Sequence, residues 1–256
     1  MKHSKSSAKK IDIPTEIFGV RISSSRLNQV LNKIWLQRKE MLHVATVNPE
    51  YIMQARTNPK FRELLNNCLS VADGHGIVWA YKILYNIAIT RISGTMLTSE
   101  ILEHANLYGE KVFLLGAREG VAERAAIAMG KRYPLARFAW FEGARTVVVE
   151  KSEESSMTIA KINGFEPDYL LVAYGSPWQD LWIEENRPYL RVRVALGVGG
   201  VFDEWAGIAR PCPTWIDEIG FKWVWRLVTE PWRWRRIVKV LHFGLIVVIK
   251  KLKSLF

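Results

Sequence analysis

The run Ala72-Asp73-Gly74-His75-Gly76 sets one carboxylate between a short apolar segment and a second that begins near Ile77. An aspartate at such a strand end can take a proton from a substrate hydroxyl, and the glycines beside it leave room for that substrate. An aspartate before glycine also suits a plain turn or a helix cap. His75 reads as a turn residue, because no HxxxH or HxH pairing accompanies it to build a metal site. Gly197-Val198-Gly199-Gly200 is a second candidate. Glycines directly after a buried strand let the backbone approach a ligand, and their amides can form an anion nest. The alternative is a close-packed strand-to-helix turn. No glycine-rich junction carries a P-loop Lys-Ser/Thr, and no GxGxxG follows the first strand, so ATP hydrolysis and a standard dinucleotide fingerprint are both unsupported. Cys68 and Cys212 lack CxxC spacing and read as two reduced thiols.

These junctions need elements that hold them on one edge. Apolar, β-rich runs lie at 17–22, 42–47, 69–72, 111–115, 137–141, 169–173 and 192–196. Between them, Leu27, Val30, Leu31, Ile34 and Trp35 follow helical spacing, as do Val121, Ala125, Ala128 and Met129. This alternation predicts one α/β domain with a mostly parallel sheet. Pro49 and Pro59 fit the first turns of helices. Several strand ends run into Asn48-Pro49, Asp73-Gly74, Gly116-Ala117, Gly175-Ser176-Pro177 and the 197–200 glycines, which is where an open α/β sheet forms its ligand crevice.

The chain has 256 residues and is 49% hydrophobic, which excludes global disorder and leaves ample material for a core. Its net charge of +11 favours anionic partners. Residues 210–256 hold ten Lys and Arg against three acids, and six of the eleven tryptophans fall between Trp205 and Trp234. From Pro213 onward only helical patterns appear, after a Pro-rich joint at Arg210-Pro211-Cys212-Pro213. Trp223, Trp225, Trp232 and Trp234 interleave with Lys222, Arg226, Arg233, Arg235 and Arg236, the composition of an interfacial segment on anionic lipid. Nucleic-acid binding is the rival reading. The aliphatic run 245–249 favours the membrane, because it has no use on a polynucleotide. A buried packing or oligomer helix over 237–256 is the third. No run of 18 apolar residues exists, and 237–249 is too short to cross a bilayer. Residues 1–10 are rich in Ser and Lys without an apolar h-region and read as a solvated tail.

Thr46-Val47-Asn48-Pro49-Glu50, Asp73-Gly74-x-Gly76-Ile77-Val78-Trp79-Ala80, Arg91-x-x-Gly94 and Val112-Phe113-Leu114-Leu115-Gly116-Ala117 stand in this order. They are followed by Pro167-Asp168-x-Leu170-Leu171-Val172-Ala173-x-Gly175-x-Pro177-x-Gln179-x-x-Trp182-Ile183 and by Gly197-Val198-Gly199-Gly200-x-Phe202-Asp203. Together these six motifs resemble the WecG/TagA/CpsF family of bacterial glycosyltransferases, over residues 15–240. The organisation expected is a basic, disordered tail at 1–14, a Rossmann-like α/β core at 15–209 and a helical, Trp-rich, membrane-docking appendage at 210–256.

The resemblance implies an inverting transfer of a sugar (N-acetylmannosamine, its uronic acid, glucose or similar) from a UDP-sugar. The acceptor would be a saccharide carried on polyprenyl diphosphate at the cytoplasmic face of the cell membrane, for teichoic acid, enterobacterial common antigen or exopolysaccharide. It assigns Asp73 as general base, Thr46 and Asn48 as pocket residues beside it, and Gly74 and Arg91 to substrate-binding motifs. Gln179, Gly199 and Gly200 would hold the nucleotide sugar, while Arg226, Arg233 and Arg236 would fold over the site and neutralise diphosphate. Such a transfer needs a base and donors for the departing diphosphate, so no cofactor and no tightly bound metal is expected. The UDP-sugar is a co-substrate. Anionic lipid is an expected partner, nucleic acid is not, and a homo-oligomer is open. Two departures from the family pattern stand out: Met96 replaces an aspartate after Arg91-x-x-Gly94, and Pro211-Cys212-Pro213 replaces an Arg-Ala-Pro motif. They motivate the alternative of a non-catalytic membrane scaffold in a polysaccharide assembly complex.

Overall fold

The computed structural model describes residues 16–23, 25–143 and 152–254, except for the side chains at 152, 153 and 233. The expected tail at 1–14 lies outside the described residues. The chain opens with β1 (Glu16–Ile17) and β2 (Val20–Arg21), an antiparallel hairpin, and α1 (Leu27–Leu36). There follow β3 (Leu42–Val47), α2 (Pro49–Thr57), α3 (Pro59–Asn67), β4 (Leu69–Ala72), α4 (His75–Tyr85) and α5 (Gly94–Tyr108). Next come β5 (Lys111–Gly116), α6 (Val121–Arg132), β6 (Arg137–Phe141), α7 (Ser152–Phe165), β7 (Tyr169–Ala173), α8 (Trp178–Asn186) and β8 (Val194–Gly197). Helices α9 (Val201–Trp205), α10 (Thr214–Glu218), α11 (Lys222–Thr229) and α12 (Trp234–Lys253) complete the described chain.

Six strands form one parallel sheet in the order β4-β3-β8-β7-β5-β6. Successive side chains point to opposite faces of a strand, so β3 sends Val44 to one face and Ala45 and Val47 to the other. On the first face Val44, Leu171 and Leu196 meet Ile34 of α1, Ile101 of α5 and Ala125 of α6. On the second, Ala45 and Val47 meet Ile52, Phe61 and Ile77 of α2, α3 and α4, and Leu170 and Val172 meet Trp182 and Ile183 of α8. Both faces are therefore covered by helices, as a parallel sheet requires.

Pro49 and Pro59 occupy the first turns of α2 and α3, where a missing N–H is harmless. Asn48 and Asn58 cap these helices by accepting from Tyr51 N (3.1 Å) and Phe61 N (3.0 Å). The run 17–22 is not a strand of the main sheet. Phe18 (φ 49°) and Gly19 (φ 81°) turn it back on itself as the β1–β2 hairpin, and only Ser23 then reaches the sheet edge, beside Val71.

The helices after Pro213 lie against the sheet domain. Phe243 and Val247 of α12 are buried with Ile77 and Tyr81 of α4, and Phe18 meets Phe243 edge-on at 6.2 Å. Among the described residues, no helix is long and apolar enough to cross a membrane.

Candidate active site

Strands β3 and β4 end side by side, with Val47 opposite Ala72. Asp73 N–H donates to Val47 O (2.8 Å), which sets the aspartate beside Asn48. The glycines around it have separate reasons. Gly74 has φ 79° and ψ 152°, a region that residues with a Cβ avoid, and it starts α4. Gly76 lets α4 sit on α2, since a Cβ there would stand 2.6 Å from Pro49 Cγ. The pattern D-G-x-G thus places one carboxylate between two helix starts. Thr46, at the penultimate position of β3, lies against Gly94 at the start of α5.

At the neighbouring strand end, the 197–200 turn carries β8 into α9. Gln179 of α8 lies across it: a Cβ at Gly197 would meet Gln179 Cδ at 2.7 Å. Gln179 is 3% exposed, and its side chain accepts from Gly199 N (3.0 Å) and donates to Tyr51 Oη (2.8 Å). Tyr51 in turn donates to Asp180 Oδ2 (2.7 Å). Burial and the adjacent Asp180 carboxylate hold the Tyr51 hydroxyl well above its ordinary range, so it remains a donor. Gln179 therefore fixes the glycine turn, with its own amide already partnered inside the protein.

Cations arrive from the C-terminal helices. Lys222 begins α11, bonds Thr95 Oγ1 (3.4 Å) and stands 3.9 Å from Asp217 Oδ2. Arg226, one turn later, is paired with Glu204 and with Glu230 Oε1 (2.7 Å). Arg236 of α12 approaches Glu50 Oε1 (3.9 Å). Arg91 is held by Asp217, with Nη2 to Oδ2 at 2.7 Å, and by contact with His75, and it does not line the cleft described below. The Arg233 side chain lies outside the described residues.

The Asp73 carboxyl is raised above its ordinary range, first by burial. Lys222 and Arg91 oppose that rise, as does a hydrogen bond from the Gly94 backbone, while Asp217 adds to it. A carboxyl raised in this way, in the field of Lys222 and Arg91, suits a proton acceptor.

Two cavities meet at this residue. A polar cleft of about 610 Å³ runs over the strand ends and is lined by Thr46, Asn48, Gln179, Gly199, Gly200 and Arg236, among others. An apolar groove of about 490 Å³ lies between α4 and α12, lined by Gly74, Trp79, Ile83, Leu241, Gly244 and Leu245, among others. Asp73, Asn48, Lys222 and Arg226 belong to both.

Residues 15–255 match the Glycosyl transferase WecG/TagA/CpsF family. Two Staphylococcus aureus relatives, from strains MRSA252 and NCTC 8325 / PS 47, are named N-acetylglucosaminyldiphosphoundecaprenol N-acetyl-beta-D-mannosaminyltransferase. Each is 32% identical over 227 residues, covering 87% of this chain and 86% of its own. The chain belongs to the WecG/TagA/CpsF family of glycosyl transferases.

Within the family frame, the two departures flank the site: Met96 follows the cleft-lining Thr95, and Cys212 lies in the field of Lys222 and Asp217. Met96 is 40% exposed and does not line the cleft, whereas its neighbour Thr95 does. Arg210, beside Pro211, is exposed, and its carbonyl accepts from Trp225 Nε1 (3.5 Å). Lys222 reads in the sequence as part of the basic, lipid-facing set, yet it is the cation that most lowers the Asp73 carboxyl. Tyr51 and Asp180 carry a sequence signal only in their spacing: Tyr51 is one helical turn past Asn48, and Asp180 follows Gln179 directly.

Proposed function

We propose that this glycosyl transferase moves a sugar, with inversion, from a UDP-sugar to a saccharide carried on polyprenyl diphosphate. It works as a peripheral protein at the cytoplasmic face of the membrane. The observation that carries this reading is the position of Asp73 on the wall shared by a polar cleft and an apolar groove. A water-soluble nucleotide sugar fits the first, and the proximal part of a lipid tail fits the second, so the acceptor hydroxyl meets the donor at the carboxylate. The relatives' names point the same way, since they specify a diphosphoundecaprenol acceptor.

In this reading the acceptor oxygen attacks the anomeric carbon from the face opposite UDP. Its proton passes to Asp73 as the new C–O bond forms, and the electron pair of the breaking bond leaves with the diphosphate. Thr46 and Asn48 position the sugars. The glycine turn, fixed by Gln179, gives the nucleotide a close backbone approach, and Lys222 and Arg236 face the growing diphosphate charge. Arg226 joins them when the diphosphate takes the place of one of its carboxylate partners.

Membrane contact falls to the outer side of α12 and the turn before it. Val238, Val248 and Leu252 are exposed along that side, Trp232 and Trp234 are exposed near its start, and Lys250, Lys251 and Lys253 stand in its last turn.

The test is UDP release by detergent-solubilised protein across a panel of UDP-sugars, using acceptors with a long prenyl chain and with a short alkyl chain. Release that needs the acceptor and is faster with the prenyl chain supports the proposal. Silence across the panel, with vesicle binding intact, favours the scaffold instead.

A further inference from the structure

A second cluster lies at the far ends of the strands that carry Asn48 and Asp73. His43 is the second residue of β3, and Cys68 immediately precedes β4. Each stands five residues from its active-site counterpart, roughly 16 Å away at about 3.3 Å per residue. The His43 side chain is fully buried, with Nδ1 3.1 Å from Cys68 Sγ and 3.5 Å from Glu184 Oε2 of α8. The three donor atoms lie within 4.8 Å of one another, and theirs is the one such group of three among the described residues.

We propose that His43 Nδ1, Cys68 Sγ and Glu184 Oε2 form a binding site for a zinc-class divalent cation, completed by water and separate from the catalytic cleft. Four observations support it. The donors are one nitrogen, one sulfur and one oxygen, a set suited to zinc. Nitrogen and sulfur bound to tetrahedral zinc at about 2.0–2.1 and 2.3 Å stand about 3.5 Å apart, against 3.1 Å between His43 Nδ1 and Cys68 Sγ and a spread within 4.8 Å over the three donors, so small side-chain shifts complete the geometry. The other imidazole nitrogen, Nε2, meets Asp180 Oδ1 at 3.2 Å, and Asp180 is itself fully buried and bonded by Tyr51. A carboxylate behind the histidine is the partner that orients an imidazole toward a metal. Charge also closes: Asp180, Glu184 and a Cys68 thiolate are balanced by a dication together with Arg187, which bonds both Glu184 oxygens at 2.9–3.1 Å. A carboxylate retains lone pairs for a metal after such a contact.

Cys68 and Glu184 are only half-buried, which leaves an entry path. Binding releases two protons to solvent, one from the Cys68 thiol and one from the His43 Nδ1 that otherwise faces Glu184. The site lies outside the nucleotide-sugar reading and does not depend on it.

The experiment loads chelator-stripped, full-length protein with cobalt(II) as a spectroscopic stand-in for zinc. The expected result is uptake of one equivalent with a thiolate-to-cobalt charge-transfer band. Cys68→Ser should lose the band, Cys212→Ser should keep it, and Asp180→Asn should weaken affinity about 10- to 100-fold. In the Cys212→Ser protein, zinc should also slow alkylation of Cys68 and a chelator should restore it, a measurement that needs no variant at the site. An absent band, a band that survives Cys68→Ser, or alkylation indifferent to zinc overturns the proposal and leaves an imidazolium held between Asp180 and Glu184.

Discussion

Gly76 and Pro49 approach so closely that a methyl group on the glycine would stand 2.6 Å from Pro49 Cγ. This contact joins the starts of α2 and α4, and through them it sets Asn48 beside Asp73. Gly76→Ala must therefore push the helices apart. Overpacking of this kind costs about 1–3 kcal/mol, to be read from urea or thermal unfolding. Transfer activity should fall as well, because the displaced helix carries Asp73-Gly74 at its start. Unchanged stability would show that the two helices yield freely here.

Asp73 should cost the fold stability at neutral pH. Its carboxyl is raised in the folded protein by burial. Between the ordinary carboxylate range and the raised value, the folded state binds more protons than the unfolded one, so stability falls as pH rises through that window. Above the window the deficit persists. Asp73→Asn cannot ionise, so its melting temperature should equal or exceed that of the parent near neutral pH, with the gap closing in acid. A variant less stable at neutral pH would mean that Lys222 and Arg91 outweigh burial.

Lys222→Met removes the cation that most lowers the Asp73 carboxyl. The acid limb of the kcat profile should move to higher pH, with a larger loss of rate near pH 6 than near pH 9, for a base that must be ionised. An acid limb that stays in place would separate Lys222 from the titration of the base.

Gly244 faces the apolar groove, and open space lies where a Cβ would stand. Gly244→Leu should fill that space while favouring helix by about 0.7–1 kcal/mol. Stability should hold or rise, and KM should increase several-fold for a prenyl-linked acceptor and little for a short-chain one. Equal effects on both acceptors would remove the lipid from the groove.

Much of the scaffold was legible because a parallel sheet buried on both faces writes its strands as continuous apolar runs. The runs 42–47, 69–72 and 169–173 coincide with β3, β4 and β7, and 137–141 coincides with the partly exposed edge strand β6. The run 17–22 misled because its backbone turn rests on Phe18-Gly19, a pair whose left-handed φ values carry no hydrophobic signature. Asp73, Asn48 and Gly199 were legible as polar or glycine residues just past strand ends. Lys222 was not, because a basic residue among tryptophans reads the same whether it faces lipid or a carboxylate. Gln179 was found, but its engagement with Gly199 and Tyr51 depends on how α8 crosses the end of β8. Nor does local spacing announce His43, Cys68 and Glu184, which three separate elements bring together.

The most direct test compares the parent protein with Asp73→Asn in acceptor-dependent UDP release, with UDP-sugar affinity measured alongside. Loss of a general base predicts a fall in kcat of roughly 10²- to 10⁴-fold with donor affinity nearly unchanged. Turnover that survives the substitution would contradict the assignment of Asp73 as the base.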